Sequence, residues 1–477
     1  MVLSSTAFAQ NVDPKVADRF AKYDVDQDDL ISHPEFMKGP FGNKGEPRGV
    51  VDRMFRDIDR DRDGFLTLRE YSGAKRDRDR MRGKPAPEEP EEPEAPISPE
   101  LVTQRNPDGS LSGEWGSVLL EKTISCDVRL PNTPGDRPVV VYLKGLPTPR
   151  IGTVDDATLT QGFLDDGMIV IEADYESDRR ARAPELLPEI DNWYGFLGET
   201  TDLPIDTNWI YVLPAGYTID RKVYICDINT KTVEMDVFHP AGLNVRPVPL
   251  MLQISSLKDQ NLWINQRAYY VYGLLTHGYA GAVMEHLGNG TPKSDVFPEK
   301  QAARLLRAEA TKWNLSGKLA VTGHSKGSSR AAKAAYLNDG EKEGDLGPHA
   351  DQSDRFQAVL LSAGQHATEF LIEDGYLDEV GAAKRAQAEE EFKNSTLEEL
   401  QEVSTLTYVT PDDPPAFLCV GELDKQFRVN QMTRLANKCR EVGLTYQFVI
   451  QPDMPHQYID DPDVIDRIFS FLDLYLK

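Results

Sequence analysis

Beyond residue 130 the chain reads as short apolar runs separated by helix-forming stretches. Val139-Val140-Val141-Tyr142-Leu143, Met168-Ile169-Val170-Ile171 and Trp209-Ile210-Tyr211-Val212-Leu213 form a first series. A second series runs through Val223 to Ile228, Val233 to Phe238, Leu250-Met251-Leu252-Gln253-Ile254, Ala280 to Met284 and Leu319-Ala320-Val321. It continues through Ala358 to Leu361, Phe417 to Val420 and Tyr446 to Val449. Most of these runs are short and lack polar alternation, which predicts strands buried on both faces. Helical stretches are expected over Gln266 to Leu275, Pro298 to Trp313, Gln431 to Val442 and Val464 to Leu476. Strands alternating with helices imply an α/β fold with a doubly wound, mostly parallel sheet, whose chemistry lies at the carboxyl ends of its strands. Both series share a strand, loop, helix, Gly-turn, strand order, through duplication or through common α/β grammar.

The first hundred residues have a different pattern. From Lys84 to Pro99 proline and glutamate dominate, a composition that buries no apolar surface and marks a linker over 84–100. Upstream lie two loops, Asp24, Asp26, Asp28, Leu30, Ser32, Glu35 and Asp59, Asp61, Asp63, Phe65, Thr67, Glu70. These residues fall at positions 1, 3, 5, 7, 9 and 12 of a twelve-residue loop, the spacing that wraps oxygen ligands around Ca²⁺. Position 8 is Ile31 or Leu66, placed to pair the loops through a short strand contact. The segment resembles a paired EF-hand, a small all-α module over 14–75. Position 6 is Gly64 in the second loop but Asp29 in the first, where a left-handed residue costs roughly 1 kcal/mol, so the first site is expected to be the weaker.

Charge narrows the partners. With 78 acidic against 53 basic residues the net charge is −25, which argues against a phosphate-backbone binder, so nucleic acid is not an expected partner. No uninterrupted apolar stretch reaches membrane-spanning length. Ala7-Phe8-Ala9-Gln10 has the small-x-small form of a signal-peptidase site, so residues 1–9 are expected to be a signal remnant of a secreted or periplasmic protein. The four cysteines, Cys126, Cys226, Cys419 and Cys439, have neither disulfide-framework nor metal-ligand spacing.

The most informative motif is Gly323-His324-Ser325-Lys326-Gly327, with the Leu319 strand before it and the helix-forming Arg330 to Ala335 after it. Between strand and helix, G-x-S-x-G makes a strained turn that lifts a serine hydroxyl for attack. With these residues and the element order, Tyr217 to Lys477 resembles α/β-hydrolase esterases of the acetyl-esterase and feruloyl-esterase-like type, and 101–216 resembles the front of such a fold. That resemblance implies a Ser-Asp-His order. Ser325 matches the nucleophile, and Phe417 to Asp424 looks like the strand and turn carrying the acid at Asp424, with Glu422 as fallback. Of the histidines after Ser325, namely His349, His366 and His456, only His456 follows both the acid and the final strand.

Relatives in that family carry His-Gly-Gly-Gly after the strand equivalent to Leu250; this chain has Ile254-Ser255-Ser256-Leu257. A backbone donor needs no particular side chain, so Ser255 or Ser256 N–H is expected to pair with that of Lys326 as an oxyanion hole. The charged insertion between His366 and Leu406 is expected to cap the pocket; Lys326 reads as a solvated lysine, with a preference for an anionic substrate as the alternative. The implied activity is a secreted serine esterase acting on a small ester or an acylated polysaccharide, with structural Ca²⁺ and no catalytic cofactor. The alternatives are a serine peptidase on the same fold and a non-catalytic calcium-binding surface protein whose hydrolase domain has decayed.

Overall fold

The computed structural model describes residues 30–32 and 65–67, then 101–144 apart from 107–110, 118–119, 121 and 133. It further describes 154–175, single positions between 190 and 197, 203–255 apart from 229–230 and 243–245, 273–284, 296–337, and 347–477 apart from 457–458 and 460. The chain forms two compact units, Met1–Pro96 and Ile97–Lys477. In the first, β1 (Leu30–Ser32) and β2 (Phe65–Thr67) pair antiparallel, with Ile31 opposite Leu66, as the matched loops predict. The acidic positions Asp24, Asp26, Asp28, Glu35, Asp59, Asp61, Asp63 and Glu70 lie outside the described residues, as do the segments expected to be linker and signal remnant.

The second unit holds a six-stranded and an eight-stranded sheet. The six-stranded sheet comprises β3 (Leu101–Arg105), β4 (Leu111–Ser117), β5 (Lys122–Arg129), β6 (Arg137–Lys144), β7 (Ile169–Asp174) and β8 (Ile205–Pro214), in the order β3-β4-β5-β7-β6-β8. Helix α1 (Asp156–Asp165) links β6 to β7; Asp155 caps it by accepting the Thr158 N–H at 2.9 Å. The strands β3 to β5 were not among those expected. Along β5 only Ile124, Cys126 and Val128 face inward, an alternation characteristic of an antiparallel strand and easily lost among the serines and glycines around it.

The larger sheet comprises β9 (Tyr217–Ile228), β10 (Lys231–Pro240), β11 (Val248–Ile254), β12 (Ala280–Met284), β13 (Leu315–His324), β14 (Ala358–Ser362), β15 (Ala416–Gly421) and β16 (Tyr446–Gln451). Its order is β16-β15-β14-β13-β11-β12-β10-β9. Pairing is parallel from β16 to β12, and antiparallel where β10 meets β12 and β9. It is the mostly parallel arrangement that the alternation of strands and helices implied. Every residue of β11, β12, β14 and β15 is buried, and each buried Leu or Val contributes about 1.5–3 kcal/mol.

The flanking helices are α2 (Phe297–Ala308), α3 (Lys326–Tyr336), α4 (Ala382–Asn394), α5 (Leu397–Val403), α6 (Gln426–Val442) and α7 (Pro462–Leu476). Helix α2 ends before Trp313, and α6 starts ahead of the expected Gln431. Of the helix expected from Gln266, the described part is Gly273–Thr276. The insertion before β15 is helical, with α5 closed by a Thr396–Glu399 capping box. Among the described residues no helix is long and apolar enough to cross a membrane, and all four cysteines are free and buried.

The two sheets repeat one topology. Antiparallel β4-β5-β7 followed by parallel β7-β6-β8 matches antiparallel β9-β10-β12 followed by parallel β12-β11-β13. The register slips at equivalent places, between Arg137 and Val139 and between Val248 and Leu250. In these pairings Val139 faces Ile210 and Leu250 faces Leu319, so counting six residues onward brings Gly216 into the place of Ser325. Both positions have positive φ, 83° at Gly216 and 54° at Ser325. The blocks also share one core, in which Tyr142, Phe163 and Tyr211 pack with Tyr217, Phe238 and Val283. Tyr211 donates its hydroxyl to Asp236 at 3.1 Å, and Gly216 N–H donates to the Tyr142 hydroxyl at 2.7 Å. Residues 101–216 and 217–477 thus lie together within the compact unit Ile97–Lys477.

Candidate active site

Strand β13 runs straight into Ser325, whose backbone (φ 54°, ψ −120°) lies in a region that L-residues rarely occupy. Two contacts hold it there: Ser325 N–H donates to Ser362 O at 2.8 Å, and Ser328 N–H donates to Ser325 O at 3.1 Å. A side chain at Gly323 would stand 2.2 Å from the Gly327 backbone, so the glycine at 323 allows strand and helix to meet this closely. Ser325 is thereby placed, half-buried, at the carboxyl end of β13 and at the start of α3.

Asp424 lies in the turn after β15, its side chain fully buried. One carboxylate oxygen accepts Lys425 N–H at 2.7 Å and the other lies 2.8 Å from His456 Nδ1. His456 Nε2 is 3.1 Å from Ser325 Oγ. A buried carboxylate facing Nδ1 fixes the tautomer with hydrogen on Nδ1, leaving the Nε2 lone pair toward the serine. The histidine loop reaches this position because it packs backbone to backbone on the acid's turn. Leu423 N–H donates to Met454 O at 3.0 Å and Glu422 N–H to Gln451 O at 2.9 Å. Glu422, the fallback acid, has an exposed side chain and does not face His456 in this way.

The structure brings further groups to the serine. His324 is buried, with Nδ1 3.1 Å from Ser362 Oγ and its ring centroid 4.7 Å from that of His456. Burial foremost, with the nearby His456 and Arg428, pushes His324 down to about 3, so it is neutral at working pH. Arg428, one turn after Asp424, directs Nη1 at Ser325 Oγ (3.2 Å) and at Ala363 O (3.1 Å). Its Nε lies 3.6 Å from Asp424. The i,i+4 spacing of Asp424 and Arg428 at a helix start was the available sequence signal for this residue. The other histidines after Ser325 are placed elsewhere. His366 is buried 3.3 Å from Ser328 Oγ, and His349 lies in a left-handed turn.

One expected oxyanion donor is excluded. Ser255 N–H donates to Met284 O at 2.9 Å, because Ser255 continues the β11–β12 ladder by one residue. Ser256 lies outside the described residues. Lys326 opens α3 directly after Ser325, at a helix N-terminus, where backbone N–H groups favour negative charge.

Residues 235–439 match the family model described as BD-FAE, a hydrolase-family domain. No curated protein matches the chain. Among solved structures, a truncated carbohydrate esterase from gut microbiota is 20% identical with a TM-score of 0.45, over 54% of this chain and 96% of that one. A bifunctional GH43-CE protein of Bacteroides eggerthii is 21% identical with a TM-score of 0.44, over 54% of this chain and 38% of that one. Esterase B from Lactobacillus rhamnosis is 17% identical with a TM-score of 0.42, over 55% of this chain and 86% of that one.

Proposed function

We propose that this protein is a serine esterase that cleaves carboxylic esters through Ser325, His456 and Asp424. The observation that carries the reading is His456, placed 3.1 Å from Ser325 Oγ and 2.8 Å from the buried Asp424 carboxylate. The BD-FAE match over 235–439 supports it independently. His456 Nε2 takes the hydroxyl proton as Oγ attacks the ester carbon, and Asp424 stabilises the imidazolium. The oxyanion faces the N–H of Lys326. On collapse His456 returns the proton to the departing alcohol, leaving an acyl group on Ser325; water, activated by the same histidine, then releases the acid.

The substrate class proposed is an ester of a decorated polysaccharide or a small analogue of one, met outside the cytoplasm. The N-terminal loops are proposed to bind structural Ca²⁺ that takes no part in the chemistry. Turnover of 4-nitrophenyl acetate by wild type and Ser325→Ala tests the reading. A loss of several orders of magnitude with unchanged circular dichroism supports it, and equal turnover removes it.

A further inference from the structure

We propose that Arg428 is a catalytic residue of the deacylation step, its guanidinium stabilising the Ser325 oxygen as that oxygen leaves the acyl-enzyme. This rests on the esterase reading above.

Three observations combine. First, Arg428 Nη1 lies 3.2 Å from Ser325 Oγ, so a cationic donor already stands at the atom that would carry the acyl group. Second, that donor is held in place. The same Nη1 donates to Ala363 O at 3.1 Å, Ala363 N–H donates to Cys419 O at 3.0 Å, and the Asp424 carboxylate lies 3.6 Å from Nε. Third, the acid that orients His456 also pairs with Arg428, so the base and the cation reach the serine from one support. A guanidinium donates and never accepts. With Arg428 at Oγ, the hydroxyl hydrogen of Ser325 is left to His456 Nε2, 3.1 Å away.

The two half-reactions use this donor in opposite ways. In the resting protein Oγ is a hydroxyl oxygen and accepts well. In the acyl-enzyme it is the single-bonded oxygen of an ester, whose lone pair is delocalised into the carbonyl and accepts poorly. Acylation therefore weakens the bond from Arg428, and deacylation restores it. In deacylation His456 takes a proton from water as the water oxygen bonds to the acyl carbon. The bond from that carbon to Oγ then breaks, its electron pair passes to Oγ, and the imidazolium returns the proton there. Electron density builds on Oγ during this collapse, beside a fixed cation. The contact is thus stronger in the transition state than in the acyl-enzyme, which is the condition for accelerating a step. By the same comparison Arg428 gives acylation no such help.

The test separates the two steps with 4-nitrophenyl acetate. Its good leaving group makes acylation fast, so the pre-steady-state burst of 4-nitrophenolate reports acylation and steady-state kcat reports deacylation. Wild type, Arg428→Gln, Arg428→Lys and Ser325→Ala are followed by stopped flow, and the acetyl-enzyme is weighed by mass spectrometry after an acid quench. In Arg428→Gln kcat should fall roughly ten- to hundredfold. KM should fall with it, the burst rate should not drop, and acetylated Ser325 should accumulate. Arg428→Lys, which keeps the charge, should lie between this variant and wild type. An unchanged kcat, or burst and kcat reduced alike, overturns the role. If Arg428→Gln lacks the wild-type circular dichroism, Arg428→Lys decides: more acetyl-enzyme than in wild type supports the role, and any other result overturns it. Acetyl on a residue other than Ser325, or persistent turnover by Ser325→Ala, would instead remove the esterase reading itself, so the two failures are distinct.

Discussion

A Cβ added to Gly421 would lie 2.0 Å from the carbonyl oxygen of Met454, so the strand that delivers the acid and the loop that delivers the histidine touch at a point with no room for a side chain. Asp424 and His456 each lie a few residues from this contact, and their 2.8 Å separation depends on it. Gly421→Ala should push the loop outward and lower kcat/KM on a short aryl acetate by about 10²-fold, the cost of misplacing a catalytic group by about 1 Å. Gly381→Ala, where an added Cβ meets nothing within 4 Å, should leave kcat/KM unchanged. Equal effects of the two substitutions would deny the contact its role.

Stability should fall in mild acid. His324 and His366 are both driven down to about 3, in each case chiefly by burial, whereas the unfolded chain takes up these protons near 6.5. Above about 6.5 neither state is protonated and the fold keeps its full stability. As pH falls from there towards 3 the unfolded state binds more protons, and stability declines. His366 lies away from the serine, so His366→Gln tests the point without touching the proposed triad. The variant should be less stable at pH 7, but its urea midpoint should fall less steeply between pH 6.5 and 4.5 than that of wild type. An unchanged slope would contradict the assignment.

The shared core of the two sheets makes a prediction about truncation. A chain beginning at Tyr217 loses Tyr142, Phe163 and Tyr211 and leaves Phe238 and Val283 uncovered. It should aggregate or lack a cooperative thermal transition. A chain beginning at Ile97 should fold and retain turnover. Within the full chain, Phe163→Ala should cost roughly 3–5 kcal/mol, read from urea unfolding.

Calcium should bind without touching the chemistry. In the full chain, titration calorimetry should show binding that Glu70→Gln weakens more than Glu35→Gln, because glycine at position 64 suits the tight turn of its loop and Asp29 does not. A chain beginning at Ile97 should keep its turnover in the presence of a chelator. Loss of turnover there would require a calcium site within the hydrolase unit.

Much of the second unit was legible because its strands are buried on both faces and so appear as unbroken apolar runs. Ser325 stood out by its flanking glycines, and Asp424 and His456 by their order after it. Three features were not legible, each for a physical reason. Among the strands β3 to β5, β5 buries one face, so Ile124, Cys126 and Val128 alternate with polar residues. Ser255 was misjudged as a donor because a sequence does not show how far a ladder extends, and here the bond to Met284 continues past the end of β11. Arg428 reaches Ser325 across 103 residues of chain, so its i,i+4 spacing from Asp424 signalled a local ion pair and not the contact with the serine. The repeated topology was visible only as an order of elements. Its register, with Gly216 in the place of Ser325, came only from the strand pairings.

The most direct measurement of the central claim is covalent trapping of the nucleophile. Wild-type protein treated with a fluorophosphonate should gain one adduct, and peptide mass mapping should put it on Ser325. Ser325→Ala should gain none, and Asp424→Asn should label far more slowly, since His456 would lose the carboxylate that sets its tautomer. An adduct on any other residue, or labelling undiminished in Ser325→Ala, would contradict the account.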